Sequence, residues 1–310
     1  MRVRRLVAWS LAVAGLVSVG AAAPSVANSN HSRAVMSVTG GGGGTLGPGW
    51  GPYAGDPVRF EVDATATDPM HPTGSFHVVH RKPDGRLLAA FRGRVSSLSA
   101  VDEVAVVTGV IEAADHPGVP LEMVGKPISL TVYDGGRTDR IGWMWGFFGA
   151  PVDLLQGAAP DLVLTDGGFS VNHTRRTAPS IGQSGTKVVR AAVADRAVRL
   201  DFAATIQAGG GPTDVTGGFR FAERRDASAY VEGKIRCLAI GGPVAMATGV
   251  VTGSDDPAKI GKPVSFSLKD GSTDRVGWLW SWSEGHQAIA DCRSTVPFHR
   301  VHPGGVLVRS

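Results

Sequence analysis

Along most of the chain, apolar residues alternate with polar or small ones. Phe60, Val62 and Ala64 do so, as do Ile128, Leu130 and Val132, and again Val264, Phe266 and Leu268. Successive side chains of a strand point to opposite faces, so a period of two predicts strands with one buried face. Asp84-Gly85, Asp134-Gly135, Asp166-Gly167 and Asp270-Gly271 punctuate these runs. Asp-Gly supplies the positive φ that tight hairpins need, so the strands are expected to be antiparallel, about seven or eight to a unit. Beyond the N-terminal segment no stretch has the period of a long amphipathic helix. The predicted fold class is therefore all-β, with two tandem domains, each an antiparallel β-sandwich or a small β-barrel.

The number two comes from an internal repeat. Gly125-Lys126-Pro127-Ile128-Ser129-Leu130 recurs as Gly261-Lys262-Pro263-Val264-Ser265-Phe266. Asp134-Gly135-Gly136-Arg137-Thr138-Asp139-Arg140-Ile141-Gly142-Trp143-Met144-Trp145 recurs, one residue shorter, from Asp270 to Trp280. Val58-Arg59-Phe60-Glu61 likewise matches Val198-Arg199-Leu200-Asp201. The matches keep a spacing of about 140 residues, which signifies duplication of a whole domain, not a short solenoid period. The repeats are placed at 54–174 and 189–310, with 175–188 as a polar linker. A stretch at 28–53 carries Gly40 to Gly44 and then Gly47, Gly49 and Gly51. Glycine runs have high chain entropy, so it reads as a flexible tether.

Residues 1–27 have the layout of a secretory signal peptide: a basic Met1-Arg2-Val3-Arg4-Arg5, an apolar run from Leu6 to Val19, and small residues at Ser25-Val26-Ala27. Cleavage is expected near Ala27, through either the general or the twin-arginine route. Loss of Arg2, Arg4 and Arg5 reduces the 31 cations to 28 against 27 acids. Phosphate-backbone binding needs clustered cations, so nucleic acid is not expected as a partner. No second apolar run approaches a membrane span, and the mature chain is expected to be secreted.

Candidate chemistry is sparse. Cys237 and Cys292 both lie in the second repeat, where an exported chain is expected to join them as a disulfide. Ser97 stands where the first repeat would carry Cys237. On an extended strand Ile141, Trp143 and Trp145 share one face, as do Val276, Trp278, Trp280 and Trp282. Such an indole stripe is either a core face or, if exposed, a stacking platform for sugar rings. Asp134, Asp139, Asp270 and Asp274 occupy glycine-containing turns. They either cap those turns or gather oxygens around Ca²⁺, although neither loop fits the twelve-residue calcium pattern. No other cofactor is indicated. His77 and His80 are three apart on a strand, point to opposite faces and make no metal pair. Gly182-Gln183-Ser184-Gly185 lacks the context of a hydrolase nucleophile, and no catalytic residue is assigned.

Cys237-Leu238, Gly261-Lys262, Lys269-Asp270-Gly271, Asp274-Arg275, the strand from Trp278 to Trp282, Cys292 and Gly304-Gly305 together make a pattern. It resembles that of small secreted actinobacterial proteins labelled "repetin" or hypothetical secreted protein. The first repeat shares Gly125-Lys126, Tyr133-Asp134-Gly135-Gly136, Asp139-Arg140 and Gly167-Gly168 but lacks both cysteines. The resemblance implies an exported bacterial protein and brings no activity with it. The expected function is binding or structural and non-enzymatic, at the cell envelope. The alternative is a glycan-binding or glycan-acting protein that meets cell-wall or extracellular glycan through its tryptophan strands.

Overall fold

The computed structural model describes residues 35–172, 185–223, 229–283 and 288–310. Residues 1–27, read above as a signal peptide, and most of the 175–188 stretch read as a linker lie outside the described residues. Two nine-stranded antiparallel sheets follow one another in the chain. The first is built from β1 (Met36–Thr45), β2 (Pro57–Ala66), β3 (Thr73–Arg81), β4 (Leu87–Val101), β5 (Val104–Asp115), β6 (Pro127–Tyr133), β7 (Arg140–Trp145), β8 (Leu162–Val163) and β9 (Asp166–Val171). The second repeats the series as β10 (Lys187–Ala194), β11 (Val198–Ile206), β12 (Val215–Glu223), β13 (Tyr230–Gly241), β14 (Val244–Ser254), β15 (Pro263–Lys269), β16 (Arg275–Trp280), β17 (His299–Arg300) and β18 (Val306–Arg309).

The lateral orders are β8-β7-β6-β5-β4-β3-β2-β1-β9 and β17-β16-β15-β14-β13-β12-β11-β10-β18, which superimpose strand for strand. Each sheet curls until its two ends meet. In the first, β8 pairs with β7, and after Leu164 and Thr165 the chain pairs with β1 as β9. This resolves the choice between sandwich and barrel in favour of a barrel, which leaves little unpaired edge. Alternation along β2 and β11 puts Phe60, Val62 and Ala64, and their counterparts Leu200, Phe202 and Ala204, into two separate cores.

The structure corrects the reading of residues 28–53. The glycine run is no tether: Gly40 to Gly44 lie within β1, hydrogen-bonded between β2 and β9. Glycine is needed there because the neighbouring strands come close. A Cβ on Gly41 would sit 2.8 Å from the Phe60 carbonyl oxygen, and Gly40 has φ +125°. Asp166-Gly167 also departs from expectation, since it opens β9 and makes no hairpin turn.

The barrels are packed against each other around a local pseudo-two-fold axis. Gly142 and Gly277 are matched positions, and they lie against the carbonyls of Ala159 and Val296. Counting back two residues makes Gly157 and Ser294 equivalent, and these two form an antiparallel bridge, N to O 2.9 and 3.3 Å. Around it Val104, Val106, Tyr133 and Ala159 pack on Val244, Met246 and Val296. Lys269, fully buried, bonds Glu103 across the seam at 2.6 Å, and Arg275 pairs with Asp102. The two repeats are therefore joined by a packed interface as well as by the chain.

Candidate functional site

The four loop aspartates are structural clamps. Asp139 accepts hydrogen bonds from the N–H groups of Gly135 (2.9 Å), Gly136 (3.1 Å) and Phe169 (2.7 Å). Asp134 accepts from Gly136 and, at 3.2 Å, from Val171. Asp274 takes Gly271 and Val306, and Asp270 takes Val308, at 3.0 to 3.1 Å. In each barrel the turn between the sixth and seventh strands thus holds the backbone of the ninth, where the curled sheet closes. Carboxylates occupied by backbone donors are not arranged around a cation. Among the described residues no group of three or more His, Cys, Asp or Glu is placed to hold a metal. A chelator is accordingly expected to leave the melting temperature of purified protein unchanged, and a fall of several degrees would restore the calcium assignment.

The tryptophan strands turn inward. Trp143 packs on Phe60 (ring centroids 4.9 Å) and Trp145 edge-on to Phe91 (5.0 Å). Trp278 and Trp280 both lie 4.9 Å from Phe221, and Trp282 stacks on Trp280 at 5.3 Å. Trp143 is buried and the other four are half-buried, so the stripe is mainly a core face. An open platform for sugar rings does not form along either strand.

The barrels differ most in one loop. Between β1 and β2 the chain takes eleven residues, 46–56; between β10 and β11 it takes three, 195–197. The longer loop contains a 3-10 turn, Pro48–Tyr53, and lays Trp50 over Trp143 with centroids 4.9 Å apart and rings 18° from parallel. It ends at Asp56, only 2% exposed, whose Oδ2 receives His80 Nε2 at 2.9 Å and Lys82 Nζ at 3.0 Å. Burial pushes the Asp56 carboxyl up, but the hydrogen bonds and charges of Lys82 and His80 outweigh it and hold the group below its usual value. Burial also dominates at His80 and lowers it against the pull of Asp56. Both shifts favour an ionised Asp56 beside a neutral His80 imidazole. His77 points the other way, to Glu61 at 3.4 Å, as the strand period requires.

Trp50 and Trp143 border two hollows. One is an apolar cavity of about 80 Å³ inside the first barrel. The other is a cleft of about 290 Å³ between the barrels, where the indoles meet Asp161, Lys187, Asp291 and Arg293. Trp50 remains 37% exposed. Asp291 is paired with Arg236 at 2.9 Å. Arg293 is buried, bonds the Pro151 carbonyl, and has an Nε with no partner among the described residues. No family model, curated protein or solved structure matches the chain.

One wall of the cleft is the Cys237–Cys292 disulfide loop, whose Cα atoms are 5.0 Å apart. The first barrel replaces the covalent link by a hydrogen bond: Ser97 Oγ accepts from the N–H of Leu155 at 3.2 Å. Leu155 and Cys292 are matched, and both have positive φ, 62° and 57°. Trp50, Asp56 and Arg293 were not singled out in the sequence. The loop-length difference between the repeats was the available signal for the first two. Arg293 becomes visible only when the second barrel is docked on the first.

Proposed function

We propose that this is a secreted, non-enzymatic binding protein of the bacterial envelope that holds a sugar ring of a wall or extracellular glycan in the cleft between its barrels. The observation that carries this reading is the cleft itself, in which an exposed indole stands beside charged, hydrogen-bonding side chains from both repeats. Indole faces stack on the C–H face of a ring, and a few placed polar groups fix its orientation. Arg293, in the cleft lining, carries a guanidinium whose N–H groups are donors only, which suits ring hydroxyl oxygens. Asp291, held by Arg236, offers carboxylate oxygens that accept hydrogen bonds. Export is supported by the disulfide, which belongs to oxidising compartments, and by the resemblance to secreted actinobacterial proteins. Among the described residues no helix is long and apolar enough to cross a membrane.

The test is retention on purified cell-wall and secreted polysaccharides. Trp50→Ala is expected to weaken retention by about tenfold or more, as for a central aromatic contact, with the fold intact because the side chain sits on an inserted loop. The reading fails if no envelope polymer is retained, or if the variant binds as the parent does.

A further inference from the structure

The first barrel has an open mouth. The β1–β2 loop, the β5–β6 loop and the segment after β7 all leave the same end of the sheet, because neighbouring strands run in opposite directions. Trp50, Met123 and Phe148, one from each, line a cavity of about 80 Å³ at that end, together with Phe60 and Val78 from the strands. Phe148 is 56% exposed, so the rim is open to solvent. Barrel mouths are common ligand sites. An engineered apolar hollow of about 150 Å³ holds benzene, so this one has room for about three carbons.

The hollow has a cause in the strand register. Phe60 pairs with Val78, and its counterpart Leu200 pairs with Phe221, which makes Val78 and Phe221 matched positions. In the second barrel the Phe221 ring lies 4.9 Å from both Trp278 and Trp280, the counterparts of Trp143 and Trp145. In the first barrel a valine stands in place of that ring, and Trp143 and Trp145 line the cavity instead.

Trp50 and Trp143, stacked 4.9 Å apart, line both this cavity and the cleft between the barrels, so the two hollows adjoin. One is apolar, and the other carries Lys187, Asp291 and Arg293 in its lining. A ligand that fills both is therefore amphiphilic. Resting on the reading that a sugar ring lies in the cleft, we propose that this ring bears a short apolar substituent, about three or four carbons long, that enters the mouth of the first barrel. Burial of the chain contributes about fourfold in affinity for each methylene, which sets such a glycan above the unsubstituted polymer.

Methyl and butyl β-glucopyranoside share a head group and differ only in alkyl length. In NMR titrations of the full mature protein, the butyl compound is expected to bind at least about tenfold more tightly than the methyl one. It is also expected to shift the methyl signals of Val78 and Met123, which methyl glucoside leaves in place. 1-Butanol, which lacks the ring, should bind more weakly than butyl glucoside. Val78→Phe installs the side chain that the second barrel carries at the matched position, and it should bring the two glucosides to equal affinity. If that variant does not fold, the Val78 and Met123 signals of the parent protein decide. The assignment is overturned if the two glucosides bind alike, if neither saturates, if butanol binds as tightly as butyl glucoside, or if the butyl advantage survives Val78→Phe. Retention of unsubstituted polysaccharide, and its loss in Trp50→Ala, tests the cleft alone, so failure of the substituent and failure of the cleft are told apart.

Discussion

Replacing Asp139 by alanine is expected to destabilise the first barrel by about 3–5 kcal/mol, the largest effect of any single side chain described above. Three backbone N–H groups converge on this carboxylate, and two of them lie in the turn whose shape it maintains. The third belongs to Phe169 on the closing strand, whose side chain is part of the core. Charge-assisted hydrogen bonds of this sort contribute roughly 1.5–3 kcal/mol each, and a donor left dry costs a similar amount. Asparagine should fall between, since it keeps one acceptor oxygen but turns an NH₂ toward other donors. Asp84, which caps an exposed turn through the Arg86 N–H, is the control, and its alanine variant should change stability by less than about 1 kcal/mol. Urea unfolding of the three variants separates these cases. A loss under about 1 kcal/mol for Asp139→Ala would mean that the barrel is closed by something else.

The second large effect belongs to the disulfide. It spans 55 residues, and the chain-entropy argument gives a stabilisation of about 4 kcal/mol for a loop of that length. Its location adds a consequence that entropy alone does not. Cys292 precedes Arg293 and Ser294, which reach across the seam to Pro151 and Gly157. Opening the bond with reductant, or replacing both cysteines by alanine, should therefore lower the melting temperature of the second barrel and also increase amide exchange at Gly157 and Ser294. Exchange at the seam that stays as slow as in the oxidised protein would confine the bond to a local role.

The core of this architecture was legible because its causes are local. The period of two in Phe60-Val62-Ala64 and in Val264-Phe266-Leu268 survives as inward-facing positions, and the 140-residue repeat survives as two identical strand orders. The cysteine pair is joined as expected. What misled the reading was glycine. In Gly40 to Gly44 composition alone suggests freedom, whereas the structure uses absent side chains to let β2 and β9 approach. Closure of a barrel was hidden for a related reason, since it depends on the bend at Leu164 and Thr165 and on which carboxylate meets which distant N–H. The features of the candidate site were harder still. Trp50 in a glycine-rich stretch looks like linker until its indole is seen against Trp143, and His80 has no meaning as half of a metal pair but gains one beside Asp56.

The bridge between Gly157 and Ser294 places matched residues face to face, as in the contact of two identical subunits. In an assembly of separate identical copies every mutation arrives on both sides at once, and an insertion useful to one would have to be tolerated by its mate. A covalently joined pair is released from that constraint. Here one half has a crosslink where the other has a serine, and one has an eleven-residue loop where the other has three residues. Divergence of the two halves, one crosslinked and one with an extended loop, is what this asymmetry permits.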